Sequence, residues 1–236
     1  MIQVCPNGPL GHSVPLTPDD LAASVREAVA AGAQDVHLHP KDPAGNDSVA
    51  PEHVAAALTT VRAAAPGVPV GVTTREEACP DPRRRAELVT SWSVLPDHAS
   101  VNWHEEGADL VADALLAHGV GIEAGIFSGT EAARRFLRWP SADRVLRVLA
   151  EVVDTDPATA ATTARDLLTE LAPSTRPLLL HGEHGGAWPV LRLAASLGLD
   201  TRIGLEDTLL LPDGSPAPGN AALVAVAREI VARNGG

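Results

Sequence analysis

The stretch Asp35-Val36-His37-Leu38-His39-Pro40-Lys41-Asp42 decides how this chain is read. It follows an Ala-rich helical segment ending Ala30-Ala31-Gly32-Ala33, opens with an apolar run of strand character, and stops at a proline. Side chains alternate between faces along a strand, so His37 and His39 point one way and Leu38 the other. Two imidazoles side by side at the C-terminal end of a strand suit one transition-metal ion, because imidazole is the commonest protein ligand for such ions. The structural alternative is that one histidine closes the strand and the other is solvated.

Outward from this strand the chain alternates strands with helices. Ile2–Pro6 reads as a short buried strand, followed by a Gly- and Pro-rich loop over Asn7–His12. Thr17 as N-cap, Pro18 at the first helical position and Asp19-Asp20 in the first turn start a helix that runs to Ala31. Six further strands are expected at Val68–Thr73, Ala99–Asn102, Gly121–Ile126, Arg144–Val152, Pro177–His181 and Thr201–Leu205. The intervening helices are expected at Pro51–Ala64, Arg83–Trp92, Ala108–Ala117, Glu131–Leu137 (capped by Ser128), Pro157–Leu171, Trp188–Leu197 and Asn220–Asn234. Alternating strands and helices demand parallel pairing with right-handed crossovers. Eight units at a spacing of roughly 30 residues match an α/β fold of the closed kind, a single (β/α)8 TIM barrel over residues 1–236, better than an open doubly wound sheet. The G-x-G-x-x-G phosphate fingerprint of the open sheet does not follow strand one.

Composition narrows the function classes. The formal net charge is −12 over 236 residues, with 45% hydrophobic and 20% charged residues. That balance argues against nucleic-acid or anionic-membrane partners. No apolar run is long enough to span a bilayer and no secretory signal pattern opens the chain. Two cysteines, Cys5 and Cys79, give no disulfide framework, so a reducing cytoplasmic location is expected.

In a barrel of this kind chemistry sits at the C-terminal ends of the strands. Those ends carry Asn7, His37 and His39, Thr73 and Thr74, Asn102, Glu123, His181 and Glu183, and Arg202, Glu206 and Asp207, while the strand interiors read as aliphatic. In Arg202-Ile203-Gly204-Leu205-Glu206-Asp207, alternation places Arg202, Gly204 and Glu206 on one face. If Ile203 and Leu205 face the helices, Glu206 faces inward and converges with His37 and His39 near the mouth. Two neutral histidines and a carboxylate with an open position is the composition of a catalytic zinc site. The structural alternative is an Arg202–Glu206 ion pair, with Asp207 capping a loop. His104-Glu105-Glu106 is read as capping the helix after strand four, and Arg83-Arg84-Arg85 as a solvated helix start. His181–Gly186 is either a phosphate-binding turn or a plain Gly-rich turn.

Several stretches resemble the β-keto acid cleavage enzymes. They are Asn7-Gly8, Leu16-Thr17-Pro18, Ala31-Gly32-Ala33 before Val36-His37-Leu38-His39, then Gly204-Leu205-Glu206-Asp207 and Pro218-Gly219-Asn220-Ala221-Ala222-Leu223-Val224. The resemblance covers essentially the whole chain and implies a (β/α)8 barrel with Zn2+ held by His37, His39 and Glu206. It implies condensation of a small β-keto acid with acetyl-CoA as co-substrate, giving acetoacetate and a new acyl-CoA. Asp207, oriented by Arg202, would be the general base, Thr73 a substrate-binding hydroxyl and Asn102 a second substrate contact. Members tend to form homo-oligomers, so one is expected here. Pro40 and Lys41, Thr74-Arg75-Glu76, Ser128, and the lack of any acid between Met1 and Asp19 depart from the family pattern. Members acting on 3-keto-5-aminohexanoate meet its amine with an acid in that first loop, so a different β-keto acid is expected. The competing readings are a metal-dependent hydrolase or aldolase on the same barrel without CoA, and a non-catalytic barrel descended from an enzyme.

Overall fold

A computed structural model describes residues 1–8 and 16–234. Of the loop expected at Asn7–His12, Asn7 and Gly8 fall within that range and the remainder lies outside the described residues. Eight strands alternate with eight α-helices: β1 (Ile2–Val4), α1 (Pro18–Ala31), β2 (Asp35–Leu38), α2 (Pro51–Ala64), β3 (Val70–Thr73), α3 (Pro82–Thr90), β4 (His98–Asn102), α4 (Ala108–Ala117), β5 (Gly121–Phe127), α5 (Ala132–Arg138), β6 (Arg147–Val152), α6 (Ala160–Glu170), β7 (Leu178–Gly182), α7 (Ala187–Ser196), β8 (Asp200–Ile203) and α8 (Asn220–Asn234). Each strand pairs in parallel with the next, and β8 pairs with β1, closing the ring. The chain is a (β/α)8 TIM barrel, as the strand–helix alternation requires.

Local chemistry explains the element ends. At α1, Thr17 Oγ1 accepts from the Asp20 N–H at 3.2 Å while the Thr17 N–H donates back to the Asp20 carboxylate at 3.2 Å. This reciprocal cap, with Pro18 behind it, satisfies donors that have no partner inside the helix. Gly32 ends the helix at φ 121°, a backbone angle that side-chain-bearing residues rarely adopt. Strand residues of one parity, among them Val4, Val36, Leu38, Val70, Val72, Ile122, Ile126 and Leu180, are buried in the apolar layer shared with the helices.

Residues of the other parity overturn the expectation of aliphatic strand interiors. Gln3, Asp35, His98, Glu123 and Arg147 converge inside the ring as one buried charged layer. Gln3 Nε2 donates to Asp35 at 2.9 Å and to Glu123 at 2.7 Å. Arg147 bonds both carboxylates, at 2.7 Å to Glu123 and 2.9 Å to Asp35. His98 lies 3.0 Å from Asp35 and 3.2 Å from Glu123. Burial opposes charge on His98, but Glu123 and Asp35 outweigh it and raise its pKa to about 10. Two carboxylates thus face two cations, the condition for burying charge at all. On the neighbouring strand Gly71 leaves the space; a Cβ there would meet the His98 ring at 2.0 Å.

This layer sets a pH dependence. A histidine whose folded pKa lies above its unfolded value of 6.5 contributes stability that is fully present below pH 6.5 and is lost as pH rises through about 10. Chemical denaturation followed from pH 6.5 to 10 is therefore expected to give a falling midpoint. Replacing His98 by Asn should flatten that slope.

Four sequence expectations need correction. Ser128 does not cap α5; its hydroxyl accepts from the Val153 N–H at 3.1 Å and its N–H donates to the Glu151 carbonyl, joining the ends of β5 and β6. Arg85 is not solvated but fully buried, donating to Glu105 at 2.7 Å, whereas Arg83 and Arg84 are exposed. Glu105 is consequently committed to Arg85 and Asn102 and caps nothing; Gly107 stands at the N-terminus of α4 without a side-chain cap. Finally, β8 ends at Ile203, so Glu206 reaches the mouth through a turn, not by strand alternation. In that turn Asp207 and Thr208 donate to the Gly204 carbonyl, at 2.9 and 3.1 Å.

Gly204 makes the turn possible. A Cβ at this position would lie 1.9 Å from the Cys5 carbonyl oxygen, a backbone atom held in the barrel. Gly204→Ala is expected to destabilise the fold by about 3 kcal/mol, the upper part of the overpacking range, as read from the midpoint of urea unfolding. No helix among the described residues is long and apolar enough to cross a membrane.

Candidate metal centre and active site

The C-terminal ends of β1, β2 and β8 bring four donors together. One ligand atom each from Cys5, His37, His39 and Glu206 all lie within 4.8 Å of one another. Backbone bridges hold the cluster in place. Asn7 accepts from the His39 N–H at 2.9 Å and donates to the His39 carbonyl at 2.7 Å, pinning the end of β1 to the end of β2. Asn220 accepts from the Leu205 N–H at 2.8 Å and donates to the Pro6 carbonyl at 3.0 Å, fixing the Glu206 turn against the first loop. Gly8 supplies room for Glu206, since a Cβ there would lie 2.5 Å from its Cγ.

Each histidine has a carboxylate behind it. His39 Nδ1 is 3.1 Å from Asp47, itself paired with Lys41, while its Nε2 stands 2.9 Å from Glu206 Oε1. His37 Nδ1 is 3.4 Å from Glu123, the carboxylate at the centre of the charged layer. A carboxylate behind a ligating imidazole fixes its orientation and tautomer. Burial lowers the His37 pKa despite Glu123, which favours the neutral ring that a metal needs. Burial also works against charge on His39, but Glu206 and Asp47 override it and raise its pKa to about 9, so a bound metal would have to displace that proton to gain the neutral ring. Burial likewise opposes ionisation of Glu206, yet Arg202 and His39 hold it well below the usual carboxylate range. His39 Nε2 and Glu206 Oε1 form a 2.9 Å ion pair, and the same two residues belong to the donor cluster that could hold a metal. Donor chemistry and spacing both fit a divalent transition metal. Asp35, His98 and Glu123 are similarly close, but Arg147 already neutralises that group.

Above the cluster opens a cavity of about 260 Å3, lined among others by His37, His39, Thr73, Asn102, Glu183 and Arg202. The Thr73 hydroxyl accepts from the Arg75 N–H at 3.2 Å and Asn102 donates to Glu105 at 2.7 Å. Burial and Glu151 push the pKa of Glu183 up to about 7. Asp207 is fully buried and is not part of the cavity wall. Its Oδ1 accepts from Arg202 Nε at 3.1 Å and Nη2 at 2.9 Å and faces His181 Nδ1 at 3.2 Å, whereas its Oδ2 has no hydrogen-bond partner. The glycines after β7 are explained by close packing: a Cβ on Gly185 or Gly186 would lie 2.3 Å from the carbonyl oxygen of Thr155 or Asp154. That arrangement favours the plain-turn reading of His181–Gly186.

The structure places His37, His39 and Glu206 together and sets Arg202 against Asp207. It adds Cys5 and Asp47, which the sequence pattern does not place at the site, and sets His181 against Asp207. Cys5 shares the inward parity of Gln3, so alternation along β1 was the available signal. Asp47 lies in a loop where no periodicity applies.

A closed (β/α)8 barrel with two histidines and a carboxylate clustered at its C-terminal mouth has the make-up of a barrel enzyme with a metal-ligating centre. The pattern of the beta-keto acid cleavage enzyme family matches residues 1–236, and the chain belongs to that family. It is thereby an enzyme of β-keto acid cleavage. No curated protein matches the chain. Among solved structures, 3-hexulose-6-phosphate synthase from Salmonella typhimurium is similar with a TM-score of 0.64 at 13% identity, over 99% of each chain. 3-Dehydroquinate dehydratase from Geobacillus kaustophilus HTA426 follows with a TM-score of 0.63 at 12% identity, over 98% of this chain and 90% of that one. At such identities these likenesses concern the barrel alone.

Proposed function

We propose that this enzyme is a zinc-dependent β-keto acid:acetyl-CoA acyltransferase, converting a small β-keto acid and acetyl-CoA into acetoacetate and a new acyl-CoA. The observation that carries this reading is the clustering of His37, His39 and Glu206 beneath a cavity of about 260 Å3, in a chain of the β-keto acid cleavage family. When bound by these three residues, Zn2+ would polarise the keto and carboxylate oxygens of the substrate. Asp207 is assigned the proton from the carbon between them; it is buried in contact with Arg202 of the cavity wall, so the transfer needs that wall to shift until the unpartnered Oδ2 meets the substrate, with Arg202 holding Oδ1. The resulting carbanion attacks the acetyl thioester and expels CoA thiolate. The thiolate then adds to the substrate's original keto carbon, the adjoining carbon–carbon bond breaks to leave the acyl group on CoA, and the acetoacetate carbanion takes back the proton held by Asp207. Arg202 stays paired with Asp207 throughout and keeps positive charge near the developing oxyanion. Thr73 and Asn102, both in the cavity wall, hold the substrate's carboxylate and keto groups in place. A cavity of this size takes a short β-keto acid and leaves most of CoA outside the barrel.

The decisive experiment is a panel of β-keto acids incubated with zinc-loaded protein, following acetoacetate with and without acetyl-CoA. Acetoacetate that forms only with acetyl-CoA supports the proposal. Cleavage without any thioester would favour a hydrolase or aldolase instead. Thr73→Val is expected to raise KM about 10-fold with zinc content unchanged, the size of one lost hydrogen bond to a charged oxygen.

A further inference from the structure

Cys5 follows β1 with its side chain fully buried, and its Sγ belongs to the same donor group as His37, His39 and Glu206. The thiol is directed at the Glu206 carboxylate and lies 3.3 Å from the Asn7 carbonyl. We propose that Cys5 is a fourth protein ligand, so that the metal is held by one thiolate, two imidazoles and one carboxylate, and not by the imidazoles and carboxylate alone. This rests on the metal centre proposed above and specifies its coordination.

Three observations carry it. First, the position of Cys5 is fixed by backbone. Its carbonyl accepts from the Glu206 N–H at 3.4 Å, and the close approach of Gly204 leaves the two segments no room to part. The sulfur is therefore built into the donor cluster. Second, the charges balance. A divalent ion with Glu206 and two neutral histidines carries one surplus positive charge in a buried place, beside an Arg202–Asp207 pair that is already neutral. A thiolate removes the surplus, and buried uncompensated charge is what folded proteins avoid. Third, sulfur and imidazole donors together select zinc-like ions over Mg2+ and Ca2+, which prefer oxygen. With Cys5 included, the four protein donors would match the coordination number common for Zn2+.

Cobalt substitution tests this without relying on turnover. Wild-type protein loaded with Co2+ is expected to show a thiolate-to-cobalt charge-transfer band in the near ultraviolet, beside the visible ligand-field bands. Cys5→Ser and Cys5→Ala should lose the charge-transfer band and, in chelator competition, bind zinc at least about 10-fold more weakly, the lower bound known for losing even an orienting partner. Ligand-field bands without the sulfur band in the wild type, with wild-type zinc affinity in both variants, would overturn the Cys5 assignment and leave the three-ligand centre standing. A wild type that binds neither Co2+ nor Zn2+ would overturn the metal centre itself. If a variant fails to fold, as judged by circular dichroism, the wild-type spectrum alone decides, because the sulfur band requires a sulfur ligand.

Discussion

Glu206→Gln is expected to empty the proposed metal centre and to lower kcat/KM for β-keto acid cleavage by at least about 1000-fold, equivalent to roughly 4 kcal/mol of transition-state stabilisation. The carboxylate stands 2.9 Å from His39 Nε2 and 3.3 Å from Arg202, and it brings the negative charge that two neutral imidazoles lack. An amide keeps the shape and can still accept a hydrogen bond from Arg202. The variant therefore separates the two readings of Glu206. If the residue only pairs with Arg202, zinc content measured by atomic absorption stays near wild type and turnover survives. If it is a ligand, zinc content and turnover fall together, and added zinc restores neither at ordinary concentrations.

Glu123→Gln should have the largest effect on stability, about 3–5 kcal/mol, the range for breaking a buried ion pair by removing one partner. Glu123 has no exposed surface and touches four groups: Gln3, His98, Arg147 and, more loosely, His37. Burial raises the cost of its charge, yet His98 and Arg147 hold it well below the usual carboxylate range. With the amide in its place, Arg147 and His98 share one carboxylate, Asp35, inside the ring. For a chain of this length each kcal/mol moves the melting temperature by about 2–4 °C, so a drop of roughly 6–20 °C is expected by calorimetry. The variant should also bind zinc more weakly, because His37 loses the group that orients it. A melting temperature within a degree of wild type would show that the layer is not held by charge balance.

The two readings of Glu206 mark what the sequence could reach. His37 and His39 were legible because alternation over one short strand needs no knowledge of the rest of the fold. Glu206 was legible as a partner of His37 and His39, but its route was not, because β8 stops at Ile203 and the turn that delivers Glu206 depends on Gly204 packing against Cys5. The interior charged layer is hidden in the sequence for a related reason. Gln3, Asp35, His98, Glu123 and Arg147 come from five different strands, and each looks ordinary alone. The burial of Arg85 is invisible in the sequence because its partner Glu105 lies twenty residues away on another unit of the barrel.

By itself, then, the sequence determined the eightfold alternation of strands and helices, the closed barrel and the two imidazoles on one face, since all of these follow from local periodicity and helix capping. The tertiary structure alone decided which carboxylates stand behind those imidazoles, that Cys5 lies beside them, and that a layer of paired charges lies inside the ring. Those facts depend on the register between strands far apart in the chain, and register is fixed only when the barrel closes.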